Sequence, residues 1–148
     1  MYKLERNFYD RDARIVGEDL IGKVLVRKYG NTIIKARITE TEGIGTCSAV
    51  LIRSVEPAEN IEEMCLNRYN KPLNEITKYQ LNNMCNGPGK LCKALKITKE
   101  ENGKDLIGDE IFAEDDGFKS FKVGKTKRIN IDYAEEAKDF LWRYSIKK

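Results

Sequence analysis

The 148-residue sequence contains no histidine, and it has only one tryptophan and three prolines. Without histidine, a zinc site would have to draw its ligands from Cys47, Cys65, Cys85 and Cys92, and none of these forms a C-x-x-C pair. Reduced, mostly buried thiols are therefore expected, with no metal and no cofactor. No apolar run approaches the ~20 residues that a membrane-spanning helix needs. Met1 to Asp10 alternates charge with aromatics and lacks the apolar core of a signal peptide. The expected location is cytoplasmic or nucleoid-associated, with no membrane partner. There are no repeats, linkers or low-complexity tracts. A dominant charge is missing as well: 27 basic against 24 acidic residues leave a net +3, which permits nucleic-acid binding without demanding it.

What is present fits one compact domain. Hydrophobic residues make up 41% and charged residues 34%, enough for a core beneath a well-solvated surface. Asp10 is a suitable N-cap for a helix to about Leu20, with Ile15, Val16 and Leu20 on its apolar stripe and Gly22 ending it. Lys23 to Arg27 reads as a strand. Gly30-Asn31 reads as a turn, and Thr32 to Thr41 as the returning arm of a hairpin. Along that arm Ile34, Ala36 and Ile38 alternate with Lys35, Arg37 and Thr39, so one face is buried and one is wet. Ala49 to Val55 reads as a central strand that Glu56-Pro57 breaks. Glu59 to Tyr69 reads as a helix with Ile61, Met64, Cys65 and Leu66 inward, followed by a short helix over Asn74 to Leu81. Asn86-Gly87-Pro88 starts another helix, whose buried stripe is Leu91, Ala94 and Leu95. From Asp109 onward the pattern is short strands and loops, ending in an aromatic cluster of Phe140, Trp142 and Tyr144. The class is α+β, a mostly antiparallel curved sheet with packed helices.

Three segments place polar residues where a core would not. Continuing the alternation past Ile38 makes Glu40 and Glu42 inward candidates. An inward carboxylate is costly unless paired, protonated or used, and the alternative is that the strand has left the core and both are solvated. Arg53 ends the apolar run from Val50, where it needs an anion, either a carboxylate or a bound phosphate, or else lies on a surface edge. Asn86-Gly87-Pro88-Gly89-Lys90 opens a helix whose free N–H groups and Lys90 suit an anion, or simply cap the helix. It is not a P-loop, because the spacing differs. Lys119, Lys122, Lys125, Lys127 and Arg128 form a basic run, either a phosphate-facing patch or a solvated loop.

Taken in order, these segments resemble the motifs of the alkyladenine (3-methyladenine) DNA glycosylase family: Asp19-Leu20-Ile21-Gly22-Lys23, Thr39-Glu40-Thr41-Glu42, Ala49-Val50-Leu51-Ile52-Arg53 with Glu56-Pro57, and Asn86-Gly87-Pro88-Gly89-Lys90-Leu91-Cys92. Asn102 to Leu106, Arg128 to Ala134 and Trp142-Arg143-Tyr144 continue the likeness along nearly the whole chain. The resemblance implies a monofunctional DNA glycosylase of base excision repair, a hydrolase of the N-glycosidic bond of alkylated purines flipped out of duplex DNA. It implies Glu42 as the base that activates water. Arg53 would hold that water or a neighbouring phosphate, and the Ile131 backbone carbonyl would contact the same water. Arg53, Lys90, Lys125, Lys127 and Arg128 would meet DNA, and a monomer is expected.

The sequence departs from the family pattern at one place. Gly43-Ile44-Gly45-Thr46-Cys47-Ser48 runs straight into the Ala49 strand, where family members carry a histidine-bearing loop, an intercalating hairpin and a further strand. The expectation is a single domain over residues 1–148 with an internal deletion near 43–49, lacking part of the sheet and the hairpin. Ile44 stands where a base-stacking tyrosine would be, so Phe8, Tyr9 or Tyr133 would have to serve as the base platform. The alternative function is a catalytically inactive DNA-binding remnant or deletion product.

Overall fold

The computed structural model describes residues 1–44, 49–127 and 142–147. It is an α+β domain built on a seven-stranded sheet, and all the strand pairings among the described residues are antiparallel. The strands are β1 (Tyr2–Lys3), β2 (Val24–Tyr29), β3 (Thr32–Ile44), β4 (Ala49–Glu59), β5 (Ile111–Asp115), β6 (Lys122–Thr126) and β7 (Arg143–Lys147). The main path through the sheet is β1-β5-β2-β3-β7-β6, and β4 pairs β3 on its other side. β3 is therefore the central strand. β4 runs along one of its edges, while β2 pairs residues 32–37 and β7 pairs residues 40–42 end to end along the other.

The helices are α1 (Arg6–Tyr9), α2 (Ala13–Leu20), α3 (Ile61–Tyr69), α4 (Lys78–Asn82) and α5 (Pro88–Ala94). The expected helix from Asp10 begins later, at Ala13, and Asp10 instead closes α1. Asp12, not Asp10, accepts the Arg14 N–H and caps α2, which turns Ile15 out to 49% exposure and buries Val16, Gly17 and Leu20. Gly22 is left-handed after it, as expected. In α3 Met64 and Cys65 are buried, but Leu66 faces out. α4 begins one residue after Thr77, which forms a reciprocal capping box with Gln80.

The hairpin of β2 and β3 turns at Gly30, in the left-handed region, and Ile34, Ala36 and Ile38 are completely buried. With Val16, Leu20, Leu25, Val55, Met64, Leu91, Leu95 and Tyr144 they make one continuous core beneath α2, α3 and α5. Two expectations about β4 need correction. It is an edge strand among the described residues, and its run from Val50 to Ile52 is only half-buried. It also passes through Pro57, which pairs with Ala36, to end at Glu59. An edge strand tolerates proline because one side of its ladder needs no N–H donor.

Candidate active site

The site forms where β3 changes neighbours. Ile38 pairs with Val55, Glu40 with Ser54 and Thr41 with Ile52. Each strand therefore carries one extra residue there, Thr39 in β3 and Arg53 in β4. Such bulges interrupt the two-residue alternation and re-aim side chains. The buried face passes from the even positions up to Ile38 to Thr41, which is fully buried and donates its hydroxyl to the Gly17 carbonyl of α2 at 2.7 Å. Tyr144, opposite Thr41 on β7, packs against the same glycine.

Glu40 and Glu42 flank Thr41, so they leave the opposite face of the strand. The simple alternation pointed to Glu42 for the wrong reason, because the bulge resets its phase. Glu42 is nevertheless buried, at 3% exposure. Arg53 Nη1 lies 3.5 Å from Glu42 Oε2, and Arg53 Nε lies 3.5 Å from Glu40 Oε1. Arg53 is thus neither a strand end nor a solvated edge residue. It is the bulged residue of β4, and it spans two carboxylates.

A fourth member of the cluster comes from β7. Arg143 pairs across the strands with Glu42, and its Nε donates to Glu40 Oε1, the oxygen that also faces Arg53. Two carboxylates and two guanidinium groups therefore sit together, one acid of the set buried. Such a set can take a proton from water at a carboxylate while cations hold the water or a phosphate oxygen. Arg143 had been visible only as the middle of Trp142-Arg143-Tyr144. Its bond to Glu40 joins residues 103 positions apart, a distance over which local periodicity carries no signal.

The methylpurine-DNA glycosylase family matches residues 42–148 of the chain. The chain belongs to the methylpurine-DNA glycosylase family. A relative from Alkaliphilus oremlandii, named "Putative 3-methyladenine DNA glycosylase", is 40% identical over 193 residues, covering 98% of this chain and 96% of its own. One of the same name from Clostridium novyi is 40% identical over 195 residues, covering 99% and 96%. Another from Clostridioides difficile is 36% identical over 201 residues, covering 97% and 100%.

The other residues expected at this glycosylase-family site are engaged elsewhere or lie outside the described residues. Lys90 is exposed on α5, whose first residue follows Gly87, and it donates to the Asn86 side chain at 3.0 Å. Gly87, the N-cap, brings no side-chain cap to this seven-residue helix, and the ammonium of Lys90 stays at the surface beside it. Lys125 is exposed on β6 and lies 3.3 Å from Glu18 of α2. Lys127 is exposed just past the end of the same strand. Ile131, Arg128 and Tyr133 lie outside the described residues. Phe8 and Tyr9 stack edge to face and pack on the core, with the Arg11 guanidinium over the Phe8 ring, so neither is a free base platform. Cys65 and Cys85 are buried free thiols, and burial pushes Cys85 up to about 12. Among the described residues no helix is long and apolar enough to cross a membrane.

Proposed function

We propose that this chain is a 3-methyladenine DNA glycosylase that hydrolyses the N-glycosidic bond of alkylated purines in duplex DNA. The observation that carries the reading is Glu42, buried on the central strand with Arg53 at 3.5 Å. An alkylated purine already bears positive charge and leaves readily. The protein mainly has to activate water and offset the charge that develops on the sugar. Glu42 takes the proton of the attacking water. Arg53 fixes that water or the phosphate beside it, and the carbonyl of Ile131 completes the water's contacts. No covalent enzyme–sugar link is needed, so release of the base leaves the strand uncut. Lys90, Lys125, Lys127 and Arg128 contribute phosphate contacts, which position the duplex without reading its sequence. The chain acts as a monomer, in the cytoplasm against the nucleoid.

We also place an internal deletion at residues 43–49. The comparison with the Alkaliphilus relative supports it. That alignment extends over 193 residues against 148 here, so at least 45 of its positions face no residue of this chain. A flipped base is ordinarily held by aromatic stacking worth roughly 1–3 kcal/mol, and the shortened chain must hold it with fewer groups.

The deciding experiment is base release from duplexes carrying hypoxanthine or methylated purines, followed by heating in alkali to reveal abasic sites. Release without strand cleavage at neutral pH is expected. Duplex binding with no release from any of these substrates would overturn the proposal in favour of a DNA-binding remnant.

A further inference from the structure

We infer that Arg143 is a positioning residue for the base, acting on Glu42 through Glu40 and Arg53; this rests on the catalytic reading of Glu42 and Arg53. The four groups form a chain with alternating charge. Arg143 Nε donates to Glu40 Oε1, that same oxygen lies 3.5 Å from Arg53 Nε, and Arg53 Nη1 lies 3.5 Å from Glu42 Oε2. Arg53 is therefore shared between two carboxylates, and what divides it between them is the second cation on Glu40. With Arg143 present, Glu40 is already neutralised and its hold on Arg53 is weakened, which leaves the Nη1 end for Glu42. With Arg143 gone, Glu40 and Glu42 both draw on Arg53. Glu40 then draws Arg53 along β4, away from the buried acid that needs it.

The burial pattern fits this division. The side chains of Glu40, Arg53 and Arg143 are 20%, 22% and 31% exposed, whereas Glu42 is 3% exposed. Glu42 has the least water to turn to, so its charge is balanced by protein groups, Arg53 among them. The supporting strands set the geometry. Arg143 stands directly opposite Glu42 in the ladder yet reaches diagonally to Glu40, a contact open to long side chains on one sheet face. Arg53 has the freedom to be pulled because it is the bulged residue of its strand. Arg143 itself need touch neither DNA nor the reacting water.

The test is a two-by-two set of variants, Arg143→Gln, Glu40→Gln and the double, in single-turnover base release with duplex affinity measured in parallel. Arg143→Gln is expected to lower the rate by about ten- to a hundredfold, the usual penalty for a misplaced catalytic group, with affinity unchanged. Glu40→Gln should cost little. The double variant should recover most of the lost rate, because the competitor for Arg53 has been removed along with the group that restrained it. A merely structural Arg143 would leave the double variant as impaired as the single one, and that result overturns the inference. So does a loss of duplex affinity with a shallower salt dependence in Arg143→Gln, which would make Arg143 a phosphate contact. If the Gln variant does not fold, Arg143→Lys keeps a cation on β7. It is expected to keep most of the parent rate at unchanged affinity, because Glu40 still has its second cation, and loss of most of the rate in this variant would overturn the inference. The Nε–H resonance of Arg53 gives a readout free of catalysis. It should move or broaden in Arg143→Gln and return towards the parent in the double variant. Should the parent release no base, the catalytic reading fails while the resonance still decides the positioning, and an unmoved Arg53 signal ends it.

Discussion

Replacing Glu42 by glutamine separates catalysis from folding. The side chain keeps its size and its hydrogen-bonding capacity, and loses only its charge and its capacity to take a proton. The stability side can be worked from the geometry. Unit charges 3.5 Å apart, as Glu42 and Arg53 are, attract by about 5 kcal/mol at an effective dielectric near ~20. Holding an acid at 3% exposure costs several kcal/mol of hydration, on the order of the same amount. Removing the charge removes both terms together. Arg53 is not orphaned, because Glu40 remains at 3.5 Å. The net change is expected to stay within about 1 kcal/mol, roughly 2–4 °C in Tm for a domain of this size. Base release should instead fall by about a hundredfold to ten-thousandfold, the range for loss of a general base. Thermal melts and single-turnover release on one preparation measure both. Undiminished release would refute the assignment of Glu42. Equal losses from Glu42→Gln and Glu40→Gln would transfer the role to Glu40, and a collapse of the melt would make Glu42 a structural acid.

Gly22→Ala should destabilise the domain by about 2–4 kcal/mol, seen as a lowered Tm, because the residue is left-handed at φ +85° and a Cβ there would stand 2.3 Å from the Phe121 ring. The Arg37 guanidinium bonds both oxygens of Asp116, at 2.6 and 3.0 Å, and holds that carboxyl down to about 2. A depressed carboxylate contributes its stability above the unfolded value near ~4 and loses it as pH falls from there towards about 2. Asp116→Asn should therefore flatten the acid limb of stability by about 1 kcal/mol, after allowance for solvent screening at this half-open site. Lys127→Ala should weaken duplex binding uniformly across sequences and reduce the salt slope by about one; an unchanged slope would remove Lys127 from the phosphate contacts.

The parts of the fold that follow from local physics were legible in the sequence. Three buried residues at every second position, Ile34, Ala36 and Ile38, announced the half-wet arm of a hairpin, and Gly30 announced its turn. Leu91, Ala94 and Leu95 announced the inner stripe of α5, and all three are buried. The site was legible in its membership more than its geometry. The motif carrying Glu42 and the motif carrying Arg53 could be named, but not the paired bulges that bring their side chains together, since a bulge depends on the register of two strands at once. The edge position of β4 was hidden for a related reason: an apolar run such as Val50-Leu51-Ile52 reads the same whether one neighbour covers it or two. Arg143 was hidden by sheer separation along the chain.

The two neighbours that share one edge of β3 also differ in how far the chain must travel to reach it. β2 is joined to β3 by the turn at Gly30 and Asn31, whereas β7 arrives from the far end of the chain, 103 residues beyond Glu40. The entropy of closing a loop rises with its length, and non-local pairings are the slow ones. In the expected order of folding the β2–β3–β4 meander, with its bulges, forms early and holds Glu40, Glu42 and Arg53 as two acids around one cation. Arg143 balances the charge only when the last strand docks, bringing Tyr144 into the core in the same step, so the two acids and their shared cation stand in place before the group that apportions it.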